Sequence, residues 1–486
     1  MRTILFILVI GLIFGSAPAS LLAQDDLTTR TVNGMKRAVN YYSEKVAVRG
    51  GYVYTYSLDL QQRKGESEAS PTEIWVQPPG TPTVGQAYLT AYEATRDPLF
   101  LKAATETAAA LIGGQLASGG WTDSIEFDPR GRNANRYRNG LGHSKGRNYS
   151  TLDDDKTQSA LCFLMQLDRT LQFKHPEVHE ATQFCLNSLL AAQFPNGGFP
   201  QGWREPVSTQ PIIRASYPDY DWRSENRIKE YWDYYTLNDG LAGTVARTLH
   251  QAHQIYGDDK YRAALVRLGD FLLLAQMPEP QPAWAQQYNF QMHPMWARRF
   301  EPPAISGSES EDVVETLMFL YQVSGERKYL DAVGPALAWL KRSELPDGQL
   351  ARFYELQTNR PLYLTRDTYQ LTYDDDDLPT HYSFKKRPRR ETLEKRYATL
   401  QAGTPVKESS SSLKTLQKDA ERILGELDRQ GRWLATSSRK PYVVSNPNVT
   451  DQTLMKDKAI LSSELFVKNL NRLSEYLRAA NGRVDD

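Results

Sequence analysis

Gly257-Asp258-Asp259-Lys260-Tyr261 and Gly325-Glu326-Arg327-Lys328-Tyr329 are one short phrase written twice: a glycine, an acidic residue, a lysine and an aromatic. Each stands between two stretches with the apolar period of a helix, and Arg96-Asp97-Pro98-Leu99-Phe100 occupies the same place in an earlier copy. The unit is helix, acidic turn, second helix, then a loop carrying glycine or an aromatic. Four copies follow. The first runs over 84–115 and closes in Gly119-Gly120-Trp121; the second runs over 157–193 and closes in Asn196-Gly197-Gly198-Phe199-Pro200-Gln201. The third covers 242–276 and closes near Trp284-Ala285-Gln286; the fourth covers 312–340 and closes in Asp347-Gly348-Gln349-Leu350-Ala351-Arg352-Phe353. A single hairpin cannot bury its apolar stripe, so such repeats stack side by side. The expected fold is mainly α, an incomplete (α/α) toroid of stacked hairpins whose long closing loops gather on one rim.

With 486 residues and 40% hydrophobic side chains the chain can build a large core. Its formal net charge of zero excludes a polyanion binder held by bulk charge, so no nucleic-acid partner is expected. Met1-Arg2-Thr3, an apolar run over 4–14 and small residues to Ala23 have the layout of a secretory signal, which places the product in the periplasm or outside the cell. No second apolar span follows, so no membrane association is expected after cleavage. The domain reading is a signal over 1–23, an N-terminal helix and strand-like segment packing on the toroid over 24–83, the toroid over 84–385, and a helical extension over 386–486 packed on its outside. A monomer is expected. Cys162 and Cys185 flank a turn and read either as a disulfide or as two buried small hydrophobes.

Asp153-Asp154-Asp155 precedes the second unit's first helix, and Asn238-Asp239-Gly240 precedes the third's. Helix capping would explain one acid at each place. Three in a row exceed that need, and superposed repeats would bring the two groups onto one rim as an oxygen-rich site suited to Ca2+. Arg298 and Arg299 stand before a Gly- and Ser-rich stretch, with Arg352 and Arg366 in later loops. Guanidinium forks match carboxylates, so these arginines read either as surface ion pairs or as holders of an anionic sugar. Trp121, Phe199, Trp203 and Trp284 read either as core caps or as flat faces for sugar rings. Of the seven histidines, His175 and His179 are spaced i, i+4 and His250 and His253 i, i+3, but neither pair has a further zinc ligand in place, and no nucleophile elbow, phosphate loop or dinucleotide fingerprint occurs.

Several stretches, in order, resemble the pectic acid lyases of polysaccharide lyase family 10. They are Thr151-Leu152-Asp153-Asp154, Asn196-Gly197-Gly198-Phe199-Pro200-Gln201, Tyr235-Thr236-Leu237-Asn238-Asp239-Gly240, residues 296–310, Ala351-Arg352-Phe353-Tyr354-Glu355 and Thr365-Arg366-Asp367. They cover roughly residues 80 to 385. The resemblance implies a helical toroid that cleaves polygalacturonate by β-elimination with Ca2+ between enzyme and substrate carboxylate. It implies Asp154 and Asp239 as metal ligands, Asp153, Arg352 and Arg366 as substrate-binding residues, and Arg298 as the base that takes the C5 proton. The chain departs from the family where Asp155-Lys156 follows Asp153-Asp154, where Trp284-Ala285-Gln286-Gln287-Tyr288-Asn289 replaces a Cys-Ala-Gln-His-Asp stretch, and in a longer loop between Gly202 and Tyr234. Two other readings stay open: a glycoside hydrolase using Asp153 and Asp239 as a carboxylate pair, and a noncatalytic glycan-binding relative.

Overall fold

The computed structural model describes residues 19–225, 227–404, 411–436 and 459–482. Most of the proposed signal lies outside them, and among the described residues no helix is long and apolar enough to cross a membrane. The four hairpins are present: α2 (Thr81–Thr95) with α3 (Pro98–Gly113), α4 (Lys156–Thr170) with α5 (Pro176–Ala191), α6 (Leu241–Tyr256) with α7 (Asp259–Ala275), and α8 (Gly307–Ser324) with α9 (Arg327–Arg342). Two of the acidic turns cap the helix that follows them. Gly257 ends α6 in the left-handed region, and the Asp258 side chain accepts from the Lys260 N–H at 2.9 Å to start α7. Asp97 caps α3 in the same way, accepting from Leu99 N–H at 3.0 Å.

The first helices of the pairs form one row, α2 against α4, α4 against α6 and α6 against α8. The second helices lie outside them and are tied by a repeated glutamine strut. Gln115 Nε2 donates to Gly119 O and to Ala181 O on the next outer helix, Gln193 to Gly197 O and Ala264 O, and Gln276 to Pro282 O and Ala332 O, at 2.8–3.0 Å. Gly197 has φ +94° there, and a Cβ on it would meet Arg267 O at 1.8 Å, so only glycine lets the turn sit against the next helix.

The ring continues beyond these units through both ends of the chain. α1 (Ala19–Tyr41) and α12 (Ser463–Ala480) pack together, and α12 extends the inner row against α2. The strand Thr55–Tyr56 pairs with Ala459–Ser462, the Ser463 N–H donates to Tyr54 O at 2.9 Å, and the Tyr42 and Phe466 rings stack at 3.9 Å. α11 (Leu413–Gly425) lies on α12, and Trp433 after it donates its indole N–H to Ile423 O, as Trp121 does to Leu111 O and Trp284 to Leu272 O. The expectation that this tail packs on the outside is corrected: α11 with the Trp433 loop matches an outer helix and its closing loop, and α12 stands in the inner row against α2. α10 (Arg390–Gln401) packs on α8 and α9, and among the described residues no extensive contact joins it to α11 or α12, which leaves the toroid incomplete.

Candidate active site

Short strand pairs tie together the loops at the start of each inner helix: Ser150–Thr151 with Gly202–Trp203, Tyr235–Thr236 with Gln287–Tyr288, and Ile305–Ser306 with Phe353–Tyr354. Two of the inner helices begin with the same unusual turn. Asp153–Asp155 and Asn238–Gly240 are single 3-10 turns in which consecutive residues are left-handed: Asp154 at φ 47° and Asp155 at 62°, Asp239 at 53° and Gly240 at 68°. Short polar side chains and glycine tolerate that region best, which is why Thr-Leu-Asp-Asp-Asp and Thr-Leu-Asn-Asp-Gly can build it. Because α4 and α6 are neighbours, the turns meet, and Asp153, Asp154 and Asp239 bring carboxylate oxygens within 4.8 Å of one another.

Fixed partners hold this cluster. Gln201 Nε2 donates to Asp153 Oδ1 at 2.6 Å, Gln77 Nε2 to Asp154 Oδ2 at 3.3 Å, and Asn238 Nδ2 to Asp239 Oδ2 at 2.5 Å. The Lys156 ammonium, almost fully buried, lies 2.8 Å from Asp153, 2.9 Å from Asp123 and 3.7 Å from Asp154. Burial opposes its charge, but Asp123 and Asp153 outweigh that and hold it protonated well above the usual lysine range. Enclosure in the cleft, then the charges of Glu309, Asp154 and Asp153, push the Asp239 carboxyl up to about 7; its oxygens still reach solvent, which moderates the effect. Asp154 is raised by enclosure and by Asp153. The buried Asn238 Oδ1 has no hydrogen-bond partner among the described residues.

Opposite this acidic group stands a cationic one. Arg298 makes a fork with the buried Glu301, Nε to Oε2 at 2.8 Å and Nη2 to Oε1 at 2.5 Å. Burial would lower its pKa, but Glu301 reverses this and keeps the guanidinium charged even above the ordinary arginine range, while Arg298 holds Glu301 below the usual carboxylate range. Tyr382 donates to Glu301 Oε1 at 2.9 Å, and its ring lies 4.3 Å beneath the Arg352 guanidinium. Arg352 Nη2 binds the buried Glu309 at 3.0 Å, and Ser306, the cap of α8, also donates to Glu309. Arg352 and Glu309 both act on the Asp239 charge, so the two halves adjoin.

Of the residues singled out from sequence, Asp153, Asp154, Asp239, Arg298 and Arg352 are gathered here. Arg366 is not: its Nε binds Leu378 O at 3.1 Å and it pairs with Asp377 on a separate, half-exposed loop. Trp121, Phe199, Trp203 and Trp284 are all 4% exposed or less, so they are core caps and not sugar platforms. Cys162 and Cys185 are free thiols. Sequence reading missed Lys156, Glu301, Glu309 and Tyr382. Ser306-Gly307-Ser308-Glu309 carries the capping-box pattern that marks Glu309, and Glu301 stands three residues after Arg298. Tyr382 had no local signal, because it reaches the site from a distant loop.

Residues 115–350, just under half of the chain, match the family model described as pectic acid lyase. The matched region, which holds the aspartate turns and the Arg298–Glu301 pair, is that of a polysaccharide lyase. Among solved structures, a family 10 polysaccharide lyase from Cellvibrio cellulosa, in a point-mutant form complexed with trigalacturonic acid, shares 20% identity over 66% of this chain and 98% of its own, with a TM-score of 0.45. An α-mannanase of family GH76 from Bacteroides thetaiotaomicron shares 11% over 96% and 99%, at 0.40, and a cellobiose 2-epimerase from Bacillus thermoamylovorans shares 13% over 70% and 78%, at 0.42. No curated protein matches the chain.

Proposed function

We propose that this chain, a polysaccharide lyase by its pectic acid lyase match over residues 115–350, cleaves polygalacturonate by calcium-assisted β-elimination, acting as an exported monomer. The observation that carries the reading is the meeting of three carboxylates, within 4.8 Å, on the rim that also bears Arg298 and Arg352. The residues fit a hard cation: carboxylates this close raise one another's proton affinity, and a buried acceptor, Asn238 Oδ1, stands unpaired beside them. Calcium held there by Asp154 and Asp239 would supply a Lewis acid that neutralises the substrate carboxylate and the charge built up as the C5 proton leaves.

The chain's own residues do the rest. Arg352, fixed by Glu309 and resting on Tyr382, binds a sugar carboxylate, Asp153 orients the sugar in the same subsite, and Arg366 serves a more distant sugar from its outer loop. Arg298 takes the C5 proton; its Nε and Nη2 are engaged by Glu301, while Nη1 makes no bond to the described residues. That fork disfavours the neutral form a base must adopt, so turnover should rise steeply with alkalinity. The same fork favours a second reading, in which Arg298 stays cationic and only holds the substrate carboxylate.

The test is ultraviolet absorbance of the unsaturated uronate released from polygalacturonate, with calcium and with a chelator. A calcium-dependent rise, lost in Arg298→Ala, is expected. Reducing ends without that chromophore would mean hydrolysis, and neither product would mean glycan capture.

A further inference from the structure

Lys156 is out of place by ordinary rules. It is the first residue of α4, where the helix dipole repels a cation, and its side chain is only 4% exposed. The equivalent position in the twin turn before α6 is Leu241, so the turn itself needs no charge there. What differs is the setting: Lys156 Nζ sits 2.8 Å from Asp153, 2.9 Å from Asp123 and 3.7 Å from Asp154, where three acids from two segments converge.

We propose that Lys156 is a resident cation of the cleft, which locks Asp153 to Asp123, withdraws Asp153 from the metal, and leaves calcium to Asp154, Asp239 and the substrate's own carboxylate. This rests on the calcium-assisted reading above and deepens it. Asp153 has both oxygens occupied, one by Lys156 and one by Gln201, whereas Asp154 and Asp239 receive single amide donors. Each carboxylate removed from the ligand set, and each positive charge beside it, weakens a calcium site. The enzyme without substrate therefore holds calcium loosely, and sugar and metal arrive together.

The experiment is calorimetric calcium titration of the substrate-free protein, with circular dichroism as a check on folding. Lys156→Gln should tighten calcium binding by about tenfold or more, because it frees Asp153 and removes a repelling charge, and Lys156→Arg should keep the weak affinity of the parent. An unchanged or weaker affinity in a folded Lys156→Gln protein overturns the proposal. If that variant does not fold, two others decide. Asp153→Asn should alter calcium affinity by less than about twofold while Asp239→Asn loses about tenfold or more, and equal losses overturn the proposal. Lyase activity is read separately. A protein with no lyase activity whose Lys156→Gln variant still gains calcium affinity would sink the functional reading and leave this one standing.

Discussion

Glu301→Gln separates the two roles open to Arg298. The carboxylate contacts the guanidinium through two bonds, at 2.8 and 2.5 Å, and is 2% exposed, so its charge is little screened on that side. A charge at such range shifts a partner's pKa by about 1–3 units; since the Arg298 side chain is 40% exposed, the lower part of that range, about 1–2 units, applies. Each unit is a factor of ten, so the neutral fraction of Arg298 below its pKa should rise about 10- to 100-fold. Glutamine keeps the shape and can still accept from Tyr382. If Arg298 is the base, the alkaline limb of the kcat profile on polygalacturonate should move down by about 1–2 pH units in the variant. A limb that stays in place while kcat falls would refute the base assignment and leave Arg298 as a fixed cation.

Four other outcomes are expected. Arg352→Met leaves the buried Glu309 without its cation and should cost about 3–5 kcal/mol in urea unfolding together with substrate binding; a loss below about 1 kcal/mol would show that Ser306 alone satisfies that carboxylate. Asp239 must lose its proton to bind calcium and has a folded-state pKa pushed up to about 7, so apparent affinity should fall by up to about tenfold per pH unit below that value; affinity constant from about pH 5 to 8 would contradict the assignment. Because that pKa lies above the unfolded value of about 3.9, Asp239 should make the metal-free protein lose stability as pH rises from about 4 to 7, and Asp239→Asn should lessen that loss in thermal melts across the range. Gln193→Ala strands the Gly197 carbonyl and removes the second donor to Ala264 O, and should cost about 1–3 kcal/mol without changing KM; an unaltered melt would mean the struts are ornamental.

The hairpins were legible because their signals are local: a capped acidic turn and a helical period lie within one unit. The aspartate turns were legible for the same reason, since repetition brings Asp154 and Asp239 to equivalent places before adjacent helices. Arg298 and Arg352 could be picked out, but their partners could not. Whether an arginine faces substrate alone or is held by Glu301 and Glu309 depends on strand pairing between distant loops, such as Ile305–Ser306 with Phe353–Tyr354. The large aromatics could be read two ways in sequence for a related reason. Trp121 and Trp284 follow glycine- or proline-bearing turns that look exposed, yet each folds inward to bond a carbonyl of the preceding helix. The relation between α1 and α12 was invisible, because no periodicity links segments at opposite ends of a chain.

That relation sets an order of events during synthesis. A chain emerging from the ribosome can assemble α2 through α9 as each hairpin completes, but one flank of α2, with Tyr88 and the Tyr42 and Tyr52 rings beside it, stays wet until α12 has been made and Phe466 can stack upon Tyr42. Covering of that flank is thus the last step and depends on α12. A nascent or truncated chain lacking it leaves that aromatic surface open to water.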